Sequence, residues 1–377
     1  MSFENGYFMK LKKRYIFLIA LLFLFGLLGL LDGIKPKGEV YDFVQGFNSR
    51  DEIEQLNPDA ETEILLIGSF HFKKFFDVQP VIDQIVDFGP QELFAEVVPP
   101  TDYLETYRNH LYRRKGENYY TQMIDSSIAF TGMDKESALK FIQQNNNKVI
   151  KEPGDTNSQI QLANAFFISN HEPNGYLQLA YIRNQVDSTE YQLLRKEISP
   201  IHRERTFILP EISHVLRPAA VELGLERIEP MDYQRDRILN DSLLNIASSK
   251  LMWRQFWKVW KLPRMIKLMK MDNEGPKNDT EAITHFKVLN ELRFYKDAIA
   301  LHQSFLYNKG LPASIEWNEI NSHRNQQMVK LISEAMKKNG SSKAAVLVGA
   351  SHVPYFIYEI SKQMPTTKIK LLDIESL

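Results

Sequence analysis

The sequence predicts an α/β fold: a central parallel or mixed sheet built from the two ends of the chain, with a large helical insertion between them and one N-terminal transmembrane helix ahead of them. Three observations carry this. Residues 63–98 read strand, helix, strand, and residues 323–374 read helix, strand, helix, strand. The 200 residues from 101 to 300 show helical spacing with almost no strand pattern. Tyr15–Leu31 is an uncharged apolar run behind a basic flank.

Glu63–Gly68 (EILLIG) is a short apolar run between polar residues, the pattern of a buried strand. Val78, Val81, Ile82, Ile85 and Val86 follow at helical spacing, and Gly89-Pro90 stops that helix. Glu92–Val98 (ELFAEVV) reads as a second strand, closed by Pro99-Pro100, so the segment forms a βαβ unit with parallel strands. Near the other end, Met328, Leu331, Ile332, Ala335 and Met336 share one face of a helix over 323–338 that stops at Gly340. Ala344–Gly349 reads as a strand, Tyr355–Met364 as a helix and Lys368–Ile374 as a last strand. In the middle, helices are expected at roughly 101–114, 134–145, 157–170, 176–197, 238–262 and 280–306, with one short strand at Arg227–Met231. The resulting organisation is a basic cytoplasmic leader at 1–14, an anchor or signal at 15–33, a tether at 34–60 and one α/β domain at 61–377. The helical insertion occupies about 101–310.

The run Tyr15–Leu31 is seventeen residues, about 25 Å of helix against a hydrocarbon core of about 30 Å. It is longer than a usual signal-peptide core, and GLLDGIKPKG after it offers no clean small-x-small cleavage site. An uncleaved anchor and a cleaved signal both remain open. Either way Lys10, Lys12, Lys13 and Arg14 stay in the cytoplasm and the main domain lies outside it, periplasmic or extracellular, and secreted if the leader is cleaved.

Composition narrows the chemistry. Lys+Arg 46 against Asp+Glu 47 leaves no basic excess, so nucleic acid is not an expected partner. With Cys 0, disulfides, thiolate nucleophiles and Cys-ligated metals are excluded, and any metal would use the 9 His and the carboxylates. There is no phosphate-binding Gly-rich motif, and neither Ser69 nor Ser351 sits in a Gly-x-Ser-x-Gly elbow. Residues 250–270 place Trp253, Phe256, Trp257 and Trp260 on one face of a basic helix; this is either a membrane-surface helix or a cap helix packed on the core.

Two tetrapeptides have one form. Gly68-Ser69-Phe70-His71 and Gly349-Ala350-Ser351-His352 each follow an apolar strand. In open α/β sheets sites form beyond the carboxyl ends of strands. Glu96 interrupts an apolar strand, where a carboxylate is costly unless paired. A parallel strand beside the first would bring it near His71. His71, Glu96 and His352 are therefore the leading ligands for a divalent metal ion (Mn, Zn, Co or Fe), with Asp232, just after a short strand, in second rank. Arg324, placed with Asn325 at the opening of the helix before the last core strand, could support a carboxylate or a developing oxyanion. The rival readings are a hydrogen-bonded turn histidine, a structural Glu96 paired with an Arg, a helix N-cap at Asp232 and a solvated Arg324.

At these residues the chain resembles the TraB/Tiki superfamily, related to the erythromycin-esterase and ChaN-like folds. It is similar in particular to a bacterial branch whose first motif reads Gly-Thr/Ser-Phe-His-Phe, as Gly68–Phe72 does here. The resemblance rests on 68–71, Glu96, Arg324-Asn325 and 349–352. It implies a membrane-tethered, metal-dependent hydrolase with His71, Glu96 and His352 at its centre, acting on a peptide or small-molecule amide or ester. Esterase relatives imply a metal-independent His/Glu hydrolase instead, and ChaN-like relatives imply a non-enzymatic protein that binds a peptide, haem or metal.

Overall fold

The computed structural model describes residues 38–70, 75–99, 117–151, 155–191, 211–234, 243, 275–306 and 312–377. His71, the apolar run at 15–33, the basic Trp segment at 250–270 and the expected helices at 101–114 and 238–262 lie outside the described residues. Among the described residues no helix is long and apolar enough to cross a membrane.

Five strands form one sheet: β1 (Thr62–Ser69), β2 (Glu92–Ala95), β3 (Ile228–Pro230), β4 (Lys343–Gly349) and β5 (Thr367–Leu371). Their spatial order is β3-β2-β4-β1-β5, and every pairing is parallel. The two chain ends thus share one sheet, and the short middle strand joins it at the edge. The expected neighbour relation differs. β2 lies beside β4, not β1, so Glu96 faces the turn after β4 instead of lying alongside the first strand.

Helices cover both faces. On one face α3 (Gln79–Phe88), α6 (Thr156–Ile168), α7 (Glu172–Gln185), a π-helical turn at Ile212–Leu216, α8 (Arg217–Glu222) and α9 (Asp279–Leu289) pack on Leu65, Ile67, Leu93, Ala95, Ala345 and Leu347. On the other, α1 (Glu39–Gly46), α2 (Arg50–Glu54), α10 (Leu292–Leu306), α11 (Pro312–Asn339) and α12 (Val353–Gln363) pack on Ile64, Leu66, Phe94, Ala344, Val346 and Val348. Alternation along each strand sends successive side chains to opposite layers. Parallel strands buried on both sides therefore read as the unbroken apolar runs seen in EILLIG and AAVLVG. Between α3 and α6 the chain adds α4 (Glu117–Thr131) and α5 (Lys135–Lys151). The middle of the chain is thus more than a cap, since much of it supplies one full layer of the sandwich.

Residues expected as a tether also belong to the core. Val40, Val44, Phe47 and Ile53 are buried. Gln45 donates to the carbonyl of Lys296, and Lys296 donates back to that of Gln45, each at 3.1 Å. Arg50 donates to the carbonyl of Leu372.

The helix expected at 280–306 is two helices, broken at Asn290 for an identifiable reason. β5 pairs with β1 only as far as Leu66, which leaves Gly68 without a neighbour on that side. Asn290, fully buried, fills the gap: Gly68 N donates to its Oδ1 at 2.8 Å, and its Nδ2 donates to Gly68 O at 2.8 Å. Tyr295 donates to the same Oδ1 at 3.1 Å. Its side chain thus acts as a one-residue strand against the end of β1.

Close packing of the helical layer makes Gly175 irreplaceable. A Cβ there would lie 2.4–2.7 Å from the ring of Phe167, a side chain with no room to retreat. Gly175→Ala is expected to cost about 1–3 kcal/mol, the usual range for overpacking. Gly46→Ala, with nothing within 4 Å, should be neutral or slightly stabilising. Urea midpoints of the two variants check the contrast.

Candidate active site

The helix after β1, α3, packs on one face of the sheet, and the helix after β4, α12, packs on the other. Adjacent strands whose following helices part in this way open a crevice at their carboxyl ends. Gly68–Phe70 of the first motif and Gly349–His352 of the second stand there. Ala350 N donates to Ser69 O at 2.8 Å. A Cβ at Gly68 would lie 3.1 Å from Ala350 Cβ and from Val353 Cγ2, so glycine is what lets the corners touch. The backbones of the two motifs meet, while the imidazole of His71 lies outside the described residues.

Three further groups arrive at the same edge. Glu96 sits at the apex of a tight turn in which Val97 N donates to Ala95 O at 2.7 Å. It is thus the first residue past β2, not part of the strand. Asp232 follows β3, held by its own N–H donating to Val97 O at 2.9 Å. Arg324 comes from the middle of α11, because that helix begins at Pro312 and not just before Arg324. Met328, Val329, Ile332 and Met336 bury the same helix against the sheet and aim Arg324 over the strand ends.

Arg324 binds everything around it. Nε donates to Asp232 Oδ1 at 2.8 Å, and Nη2 lies 2.7 Å from that oxygen. Nη2 donates to Glu96 Oε1 at 2.6 Å, and Nη1 lies 3.3 Å from Nε2 of His352. Glu96 Oε2 accepts from Gly349 N at 3.0 Å. A Cβ at Gly349 would sit 3.3 Å from that oxygen, a second place where glycine permits close approach. Gln234 donates to Asp232 Oδ2.

The hydrogen-bond network fixes the state of His352. Asn325 Nδ2 donates to Asn321 O at 2.7 Å, which turns Asn325 Oδ1 toward His352 Nδ1 at 2.7 Å. That oxygen can only accept, so Nδ1 carries the proton. Nε2 faces a guanidinium that can only donate, so Nε2 carries the lone pair. The imidazole is neutral, with Nε2 as its unprotonated nitrogen, facing Nη1 of Arg324. Burial lowers its pKa to about 4, against the opposing pull of Glu96. Burial alone would raise the Glu96 carboxyl, but His352, Arg324 and the Gly349 N–H outweigh it and hold it at about 2. Arg324 is also opposed by burial, yet Asp232 and Glu96 raise it well above its ordinary value. At neutral pH the site holds one cation, the Glu96 anion and a neutral base.

Sequence reasoning selected His71, Glu96, His352 and Arg324, with Asp232 in second rank; the structure brings Glu96, His352, Arg324 and Asp232 together, and His71 lies outside the described residues. Glu96 is paired with an arginine, and Arg324 is part of the site instead of a solvated first-turn residue. It missed the role of Asn325, which sets the tautomer of His352, and that of Asn290. The adjacent pair Arg324-Asn325 was the available signal for the first. Nothing local marks the second, since its partner is 222 residues away.

Glu96 Oε1, Asp232 Oδ1 and His352 Nε2 converge on the guanidinium of Arg324, and His71, the remaining residue expected to ligate a metal, lies outside the described residues. Among the described residues no cluster of three ligating side chains forms a metal site.

No family model matches the chain, and no curated protein or solved structure matches it either. The resemblance noted from the sequence rests on its motifs alone.

The site sets how stability depends on acid. The unfolded histidine takes up its proton near its ordinary 6.5, whereas folded His352 resists to about 4. The unfolded chain therefore binds more protons in that window, and stability falls as pH drops through it. Glu96 extends the loss from its ordinary 4.5 down to about 2. His171, His214 and His302, also lowered to about 4 by burial, share the upper window. His352→Gln should reduce, without abolishing, the slope of urea midpoint against pH between 6.5 and 4. An unchanged slope would show that His352 is not held neutral.

Proposed function

We propose that the chain is a hydrolase of amide or ester bonds, in which His352 Nε2 is the general base and Arg324 the electrophilic donor. One observation supports this most: a neutral imidazole whose Nδ1–H is fixed by Asn325 and whose Nε2 lone pair meets Nη1 of Arg324 at 3.3 Å, beside a paired carboxylate. Nε2, released from Nη1 as substrate binds, takes the proton of the water that attacks the carbonyl carbon, and returns it to the leaving nitrogen or oxygen as the C–N or C–O bond breaks. The imidazolium that forms lies 3.7 Å from Glu96 Oε1, whose negative charge stabilises it. Nη1 of Arg324 carries a second N–H that none of these contacts uses, and it donates to the oxygen that gains charge at the substrate carbonyl. Asp232 and Glu96 keep the guanidinium in place for that task.

This is the metal-independent form of the reading. The metal-dependent form implied by the resemblance needs donors beyond the four described. Anchoring at a membrane, with this domain outside the cytoplasm, rests on the sequence of residues 10–31.

The test uses the full chain in detergent micelles, assayed on p-nitrophenyl acetate and on pooled fluorogenic peptides. His352→Gln is expected to lower kcat/KM by about 10²–10⁴-fold, the range of a lost general base. EDTA should leave the rate within about two-fold. The acid limb of kcat/KM in the free enzyme should fall near the His352 value of about 4 instead of that of an ordinary imidazole. Absence of turnover, or equal rates in His352→Gln, overturns the proposal. Loss on chelation with recovery on added zinc or manganese assigns the site to a metal.

A further inference from the structure

Next to the site, α11 carries three polar groups that nothing among the described residues satisfies. The indole N–H of Trp317, Oδ1 of Asn318 and Nδ2 of Asn321 are buried and have no hydrogen-bond partner among the described residues. Each side chain is more than nine-tenths buried, at 9%, 8% and 5% exposure. Buried donors and acceptors forfeit their hydration, and folds rarely leave several together without a reason.

Their position supplies the reason. Trp317, Asn321 and Asn325 follow each other one helical turn apart on α11, and Asn325 holds His352. One turn along α12 from His352 is Tyr355, whose hydroxyl lies 3.5 Å from Nδ1 of His302. The rings of His302 and Trp317 are 6.2 Å apart, edge to face. These contacts, with the helical spacing along α11 and α12, place the unpaired groups and the proposed base in one neighbourhood. With a rise of about 1.5 Å per residue, Asn321 and Asn318 stand about 5 and 10 Å along the helix from Arg324-Asn325. An extended backbone covers that distance in about two or three residues.

We infer that Trp317, Asn318 and Asn321 form a subsite for the uncharged carboxamide portion of a substrate whose scissile bond lies at His352. This rests on the hydrolytic reading and narrows it. Trp317 and Asn321 offer donors to carbonyl oxygens. Asn318 offers an acceptor, which an amide N–H satisfies and an ester oxygen cannot. None of the three can ionise, and burial holds His302 neutral by lowering it to about 4, so the subsite suits neutral amides over anions.

The experiment reads binding without turnover. Full-chain His352→Gln in detergent micelles is dialysed against pooled N-acetyl tripeptide amides, and against a matched pool with the central amide replaced by an ester. Retained members are quantified by mass spectrometry. Wild-type protein at low temperature, with products monitored, repeats the measurement in case the variant misfolds. Amides are expected to be retained at least ten-fold more tightly than esters. Trp317→Phe, Asn318→Leu and Asn321→Leu should each weaken retention at least ten-fold while raising Tm. Retention of neither pool, or of both equally, overturns the inference. A raised Tm with unchanged retention does so too, and assigns the three groups to ordered water only. Selective retention of amides by a protein that hydrolyses nothing removes the hydrolytic reading and leaves the subsite. Hydrolysis without selective retention does the reverse.

Discussion

The interior position of one guanidinium governs this structure. Arg324 lies over the carboxyl ends of the strands with only 15% of its side chain exposed, flanked by Glu96 and Asp232. A charge so placed is tolerable only when opposite charge and good hydrogen bonds surround it. Two carboxylates from two strand ends meet that demand, and they need the cation equally. Removing Arg324 would strand both, at about 3–5 kcal/mol for a broken buried pair. The lock therefore joins α11 to the ends of β2 and β3, where Asp232 N still donates to Val97 O.

The order of the strands makes this lock possible. β4 lies between β1 and β2, in register with Ser69 opposite Gly349 and Ala95 opposite Leu347. Gly349 therefore ends its strand beside Glu96 and can donate its N–H to that carboxylate. Had β2 paired directly with β1, Glu96 would have met the first corner and His352 would have been one strand farther away. The parallel arrangement also places every following turn at the same edge. Residues 96, 232 and 352 converge although they are spread over most of the chain.

Much of this was legible in the sequence, for physical reasons that also explain the gaps. Strands buried on both faces announce themselves as unbroken apolar runs, so β1 and β4 were read to within a residue. Glu96 stood out because a carboxylate in an apolar run requires a partner. Pairing order left no such trace, since β2 carries four residues whose apolar pattern suits any parallel neighbour. The break at Asn290 was invisible because the helical spacing continues across it. Its cause is a strand end that runs out of partners far away in the chain. Residues 39–54 looked like a tether because few of them are apolar, yet Val40, Val44, Phe47 and Ile53 suffice to dock two short helices. Arg324 was placed near a helix start because the apolar stripe begins at Met328. In the polar first half of α11 it is Trp317, Asn318, Asn321 and Asn325 that are buried.

That polar half bears on what the site can do. Glu96 has both oxygens engaged, and Asp232 is occupied by Arg324 and Gln234. The carboxylates are thus structural counter-charges more than nucleophiles. What can be made available is the lone pair on His352 Nε2, once Nη1 of Arg324 releases it, and the second N–H on Nη1, a base and a donor a few ångströms apart. Such a pair can move a proton and hold an oxyanion, but it has little with which to grip a substrate. Grip has to come from outside the lock. Among the described residues, Trp317, Asn318 and Asn321 of α11 carry unpaired polar atoms one to two turns before Arg324. On the proposed reading one helix would carry both functions: its apolar C-terminal half fixes the centre to the sheet, and its polar N-terminal half would meet the ligand. A helix in that role must be long, continuous and anchored at one end, and the 28 residues of α11 answer that requirement.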